Sequence, residues 1–485
     1  MSTASAEYPF IAKKLFIGSG FRIFGFVLTR LIQVVQIFIF ARLFTPHDIG
    51  TATLAGSCIA IASVFANFGF FPCIIRDREN NAPFINTAFL LSAVIGLGVF
   101  FAVWVSAPYI EYIVAADLCT YLRFLAIMVL SIPMRFPIVF WEKELRFGQP
   151  AAALCVQSLA QLVVSIIVEL VFRTGIWSLL IGNVAGFLIS CCYVWLYAMH
   201  RPSIQWHTAS AKKIMRFGTP FMLQGINSEA MMRGDNLMVG VYAGTPSLAY
   251  YNFAWQLPML IAAFMNTLDA MLFPVYAQLN ESREGIQKLF NFTSKLWSIA
   301  GSFIGCFILV YADTLVLFLY GSHWAPVIPL LRIMTVSFIV RFCSGYAYDN
   351  LALVRGRTPY LMKWGVINTL LIFSLGLYMI KKCGPEGGAW FWVVQAVVLI
   401  PLIRLPLIYQ ELRSLAFVKH VWQPVLCGVG AGLCGFFLNQ REGTPLSIER
   451  LVSIAFYSAA YGVLLVLIDR SFVADIKKII KLVRE

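Results

Sequence analysis

Residues 214–255 read IMRFGTPFMLQGINSEAMMRGDNLMVGVYAGTPSLAYYNFAW. Glu229, Arg233 and Asp235 stand inside a run otherwise apolar enough to enter a bilayer. Ionisable groups are costly in hydrocarbon, so such a trio marks either a working site or a structural pair. The stretch is also a second copy of residues 14–55: Gly218 falls on Gly18, Gly225 on Gly25 and Thr245-Pro246 on Thr45-Pro46, all in one register. Farther along, Phe71-Pro72 matches Phe273-Pro274, Leu122-Arg123 matches Leu331-Arg332, Arg146 matches Arg355 and Pro150 matches Pro359. The register drifts where the second copy has a longer loop, 276–290. The ordered matches predict an internal duplication.

Composition sets the solvent. The 485 residues are 60% hydrophobic and 12% charged, whereas soluble chains carry about 25% charged residues. A helix needs roughly 20 apolar residues to cross the hydrocarbon. That ruler places helices near 16–42, 50–75, 84–107, 118–140, 151–172, 176–199, 214–241, 248–274, 291–311, 325–351, 359–380, 389–409, 421–438 and 450–468. The expected fold is an all-α polytopic membrane protein with about 14 transmembrane helices. Six helices per copy is an even number, so the two lobes form a parallel internal repeat about an axis along the membrane normal. The expected divisions are an N-terminal lobe, 1–210 (helices 1–6), a C-terminal lobe, 211–410 (helices 7–12), and two accessory helices, 411–468. Residues 469–485 read as a cytoplasmic amphipathic tail, Val473, Ile476, Ile479, Ile480 and Val483 opposing Lys477, Lys478 and Lys481.

The net charge of +14 follows topology rather than nucleic-acid binding. Inner loops hold clusters such as Arg201, Lys212, Lys213 and Arg216, while the outer loops hold Arg173, Lys381, Lys382 and Arg441. Positive charge stays inside, which places both termini in the cytoplasm. The first apolar run, 15–43, is too long for a signal h-region, and the residues before it are too polar. The cysteines lie mostly within apolar spans without CxxC spacing, and the five histidines are dispersed, so no metal and no cofactor is expected.

The outer loops are short, the largest being Ala312–Trp324, which leaves no room for an external catalytic domain of a membrane glycosyltransferase or polymerase. No GxxxxGK[ST] sequence for ATP hydrolysis is present. Glu142 and Glu144 in WEKELRF point different ways on a helix, so they do not form an acid/base pair.

The intramembrane polar residues carry the functional reading. In helix 1, Arg22 and Gln33 lie about 20° apart and Arg30 and Gln33 about 60° apart at 100° per residue. With Gln36 they form one stripe. Two arginines facing lipid would cost about 2.5 kcal/mol or more each, so the stripe faces protein or water. Helix 7 presents Gln224, Asn227, Glu229, Arg233, Asp235 and Asn236. Arg123 and Arg135 in helix 4, Asp269 in helix 8, and Arg332, Arg341 and Asp349 in helix 10 complete the set. Two readings are open. In one, a water-filled cavity between two lobes holds an anionic headgroup such as a pyrophosphate, for which arginine's fixed donor fork is suited. In the other, Arg42, Arg123, Arg135 and Arg404 snorkel to lipid headgroups, and Glu229 and Arg233 form a structural i,i+4 pair.

Three stretches carry a resemblance: GSGFRIFGFVLTRLIQVVQIFIFARLFTPHDIGTATLA, FGFFPCIIRD and GDNLMVGVYAGTPSLAYYNFAWQLPMLIAAFMNTLDAMLFPVYAQL. Over residues 14–410 the chain resembles the polysaccharide transporter, or lipid-linked oligosaccharide flippase, family of the multidrug/oligosaccharidyl-lipid/polysaccharide exporter superfamily. The family's helix 7 aspartate falls on Asp235, its turn and tyrosine on Gly244 and Tyr250, and its helix 8 Phe-Pro on Phe273-Pro274. The resemblance implies a non-enzymatic bacterial inner-membrane protein that moves an undecaprenyl-pyrophosphate-linked glycan between leaflets by alternating access. The substrate-binding set is then Arg22, Arg30, Gln33, Gln36, Arg123, Asn227, Arg233, Arg332 and Arg341. Glu229, Asp235 and Asp269 are the candidates for proton or sodium coupling. Implied partners are the lipid-linked glycan, the bilayer, and a polysaccharide polymerase or glycosyltransferases. The alternatives are a multidrug exporter of cations, which would want carboxylates in the first lobe where only Glu169 lies well inside a span, and a scaffold for glycan assembly.

Overall fold

The structure, a computed structural model, describes residues 25, 27–77, 81–114, 117–344, 346–439 and 448–468. Arg22, Gly18 and the 469–485 tail lie outside the described residues. The described residues are mostly helix, with no strand among them, because lipid leaves a spanning backbone no other partner than itself. Seven helical stretches are long and apolar enough to cross a membrane, or eight counting one bent pair, among the described residues.

The chain forms two compact units, Met1–Ala249 and Tyr250–Glu485. In the first, α1 (27–43) leads to α2 (Pro46–Asn67). Thr45 and Asp48 close a capping box here: Thr45 Oγ1 accepts from the Asp48 N–H at 3.2 Å and Asp48 Oδ2 accepts from the Thr45 N–H at 3.1 Å. Pro46 supplies a preset φ at the first helical position. The expected single span 50–75 is broken at Phe68 (φ 40°) and Gly69 (φ 69°), after which α3 runs Phe70–Arg76.

Next, α4 (Ala82–Val114) continues through Pro108, past its expected end. The expected helix 118–140 is fragmented into α5 (Cys119–Leu125), a 3₁₀ turn (Ala126–Leu130), α6 (Ser131–Met134) and α7 (Ile138–Lys143). Pro133 and Pro137 remove backbone donors there. The unit is completed by α8 (Gly148–Phe172), α9 (Ile176–Leu196) and α10 (Thr208–Ala243).

The second unit takes in most of α11 (Thr245–Gln278), which opens on the repeated Thr-Pro, followed by α12 (Arg283–Leu319), α13 (Val327–Ser344) and α14 (Tyr346–Val354). Residues 312–319, expected in the largest outer loop, extend α12 beyond a kink at Tyr311, and Trp324 after it is buried and stacked on Phe253 at 4.0 Å. The pair α13 and α14 is bent by 43°. Then come α15 (Thr358–Leu371), a π turn (Ile372–Gly376), α16 (Leu377–Val394), a second π turn (Gln395–Leu399) and α17 (Ile400–Leu412). Finally α18 (Phe417–Asn439) and α19 (Ile448–Ile468) pack on α12 around Cys306, Tyr311, Cys427 and Tyr457. There Tyr311 hydrogen-bonds Ser453 at 2.7 Å, Tyr461 meets Ser302 at 2.9 Å, and Tyr457 donates to the Phe303 carbonyl at 2.6 Å. Interhelical hydrogen bonds in lipid average only about 0.6 kcal/mol, so close packing carries most of this contact.

The repeat is visible in the backbone as well. Gly175 (φ 57°, ψ −116°), between α8 and α9, corresponds to Gly384 (φ 61°, ψ −143°) within α16, in the register that pairs Arg146 with Arg355. Both reverse the chain in a conformation close to glycine-only. We expect Gly384→Ala to cost about 1–3 kcal/mol and to lower the melting temperature in detergent. Gly98→Ala, whose Cβ meets nothing within 4 Å, should leave it unchanged.

Candidate functional site

In the first unit, helix α1 is seated against α8: a Cβ on Gly25 would overlap that of Ala151, and Thr29 contacts Cys155 at 3.1 Å. One turn on, Arg30 donates to Gln33 Oε1 at 2.8 Å, and Gln36 is buried. Arg30 and Gln33 are half-buried and bond each other along one face of α1.

Helix α10 runs antiparallel on α2, with Gly218 against the Phe68 carbonyl, Gly225 against Val64 and Gly240 against Leu54. Beside this seam lies a cleft of about 270 Å³, lined by Asn67, Phe68, Phe221, Gln224 and Ser228 among others. Asn227 is half-buried. Farther along α10, Arg233 Nε donates to Glu229 Oε2 at 3.0 Å, both side chains partly exposed. Asp235 is buried at 3% exposure and accepts the Asn236 N–H at 2.8 Å.

Two arginines of helix 4 are engaged locally. Arg123 lies over the Trp104 ring at 4.3 Å and donates to that residue's carbonyl. Arg135 donates to Gln157 at 2.6 Å and lies over Phe187. Glu169 accepts from the Gly175 N–H at 2.9 Å and the Ser178 hydroxyl at 2.8 Å. The carboxylate that a cation exporter would need in the first lobe is therefore spent on the turn into α9.

In the second unit, Arg332 pairs with Asp313 at 2.7 Å. Arg341 lies over the Trp392 ring at 5.1 Å. Asp349 sits 3.7 Å from Arg404, which lies over the Tyr348 ring. Asp269 is 8% exposed, with Oδ1 buried and without a hydrogen-bond partner, while Asn350 donates to its backbone carbonyl at 3.2 Å. Where α14 meets α15, Glu411 binds Arg357 at 2.7 Å and approaches Arg355 at 3.7 Å.

The structure brings Arg30 to Gln33 and Glu229 to Arg233, while Arg22 lies outside the described residues. Sequence reasoning gave no partner to Arg404, Asp313 or Glu411. Their partners are 55, 19 and 54 residues away, so no local spacing could signal them. Among the described residues no three His, Cys, Asp or Glu side chains are grouped to hold a metal ion.

The profile of the family described as polysaccharide biosynthesis protein matches residues 39–329. The chain belongs to that family. It is 21% identical over 476 residues to the teichuronic acid biosynthesis protein TuaB of Bacillus subtilis, covering 95% of this chain and 96% of that one. It is 22% identical to the lipopolysaccharide biosynthesis protein WzxC of Escherichia coli, covering 87% of this chain and 84% of that one. Among solved structures, the lipid II flippase MurJ in an inward closed conformation matches 93% of this chain and 99% of that one, at TM-score 0.78 and 11% identity. That likeness shows that the chain shares the fold of that structure.

The Glu229–Arg233 pair gives a direct test of the structural reading. Glu229→Gln leaves a lone guanidinium, so it should lower the melting temperature more than Glu229→Gln with Arg233→Gln. A double-mutant cycle in detergent should return a coupling of about 1 kcal/mol.

Proposed function

We propose that this protein is a flippase that carries a lipid-linked oligosaccharide, of the undecaprenyl-pyrophosphate type, from the inner to the outer leaflet of the bacterial inner membrane. It acts as a transporter and makes or breaks no covalent bond. The observation that carries the reading is a MurJ-like fold over nearly the whole chain in a member of the polysaccharide biosynthesis family. The intramembrane arginines fit the cargo, because a pyrophosphate cannot leave water unless fixed positive donors replace its hydration.

In this reading, Arg22, Arg30, Gln33 and Gln36 of the first lobe and Arg332 and Arg341 of the second hold the headgroup, with Arg123, Asn227 and Arg233 as further contacts. The lobes 1–210 and 211–410 alternate in exposing it to the two leaflets, with both termini in the cytoplasm. Glu229, Asp235 and Asp269 take up a proton or sodium ion. Glycosyltransferases supply the cargo and a polymerase consumes it. Asp269 is favoured among the carboxylates, since it is buried and its Oδ1 has no close hydrogen-bond partner among the described residues.

Mass spectrometry of lipid-linked glycans in a deletion strain tests the reading. A glycan should accumulate on the inner leaflet and clear when the gene is restored. Increased sensitivity to cationic drugs with unchanged glycans would instead select the multidrug alternative. Arg22→Ala with Arg30→Ala should abolish export while the protein is still made and inserted, and normal export from that variant would remove the arginine cavity.

A further inference from the structure

The cleft beside the α2–α10 seam differs in chemistry from every charged site described above. Asn67, Gln224 and Ser228 line it, all three exposed. None of the three side chains makes a hydrogen bond to the rest of the described protein, so their donors and acceptors are unspent. Two amides and a hydroxyl facing hydrocarbon would lose hydration without replacement. They face water or a polar ligand. The wall between them is apolar and partly aromatic, formed by Val64, Phe68 and Phe221. Among the described residues, no Lys, Arg, Asp or Glu lines the cleft. Amides and hydroxyls beside an aromatic face match a sugar ring, whose hydroxyl edge takes hydrogen bonds while its C–H face rests on apolar surface. A diphosphate or an acidic sugar would find no counter-charge there.

The shape is set by backbone contact. The left-handed pair Phe68-Gly69 ends α2 beneath Gly218, and a Cβ on Gly225 would lie 2.8 Å from Val64 Cγ1. The helices therefore meet closely at the floor and leave a volume of about 270 Å³ above it, at the small end of ligand sites and suited to one pyranose.

We infer that this cleft is a subsite for a neutral sugar residue of the transported glycan, with Asn67, Gln224 and Ser228 reading its hydroxyls. The inference rests on the flippase reading and narrows it by separating recognition of the sugar from recognition of the diphosphate.

The test uses the full-length protein in nanodiscs and three probes: undecaprenyl diphosphate, the same lipid bearing one glucose, and the same lipid bearing one glucuronate. Wild type should bind the glucose lipid at least tenfold tighter than undecaprenyl diphosphate, and the glucuronate lipid with no such gain. Asn67→Ala with Gln224→Ala and Ser228→Ala should erase the gain and leave binding of undecaprenyl diphosphate unchanged. Gln224→Met, close in volume and neutral but without the amide, should weaken the glucose lipid and leave undecaprenyl diphosphate unchanged. Equal loss for all probes, or an unchanged gain in both variants, overturns the sugar subsite. Wild type that binds no probe, together with a deletion strain that accumulates no glycan, overturns the flippase reading itself.

Discussion

A charge or an unpaired polar group inside a bilayer must meet protein or water, and the arrangement of this molecule follows from that requirement. A lone charge at mid-membrane costs about 2.5–3.5 kcal/mol or more. The described polar residues respond in three ways. Some are matched by opposite charge, as Arg332 is by Asp313 and Glu411 by Arg357. Some are absorbed by aromatic rings or carbonyls, as Arg123 is by Trp104. Others, Asn67, Gln224 and Ser228, line a cleft.

The matched and absorbed residues also tie helices together, so a cargo that uses them must displace a partner, whereas the third group offers donors and acceptors that are unspent. Arg404 stands between the two categories. It has an aromatic face beneath it and a carboxylate 3.7 Å away, yet its Nη1 is buried without a partner. Such a group is held in position without its donors being used up. Transport needs polar groups of this kind, since a fully paired interior would offer a headgroup no replacement for its hydration.

Much of the fold was legible because lipid imposes simple rules. Length of apolar run reveals helices, and duplicated Thr-Pro pairs reveal a repeat that the structure repeats in the turns at Gly175 and Gly384. The breaks were less legible. Phe68-Gly69 interrupts a run that hydropathy reads as continuous, and Pro133 and Pro137 fragment the fourth apolar segment, whereas Pro108 leaves α4 intact. Proline has one local chemistry, but neighbouring helices determine whether the freed carbonyl is satisfied and the helix survives.

By itself the sequence determined the solvent, the helical class, the duplication and which polar residues lie within apolar spans. Those properties depend on composition and on spacing along one helix, which are local quantities. Only the tertiary structure decided which charges are neutralised. Glu229 and Arg233 were foreseeable as a pair because one helical turn separates them. The partners of Arg404 and Arg332 lie on other helices, and side-chain contact between helices depends on their packing, which spacing in the chain does not encode. The cleft at Asn67 and Gln224 is of the same kind: its existence depends on how closely Gly218 and Gly225 let two backbones approach.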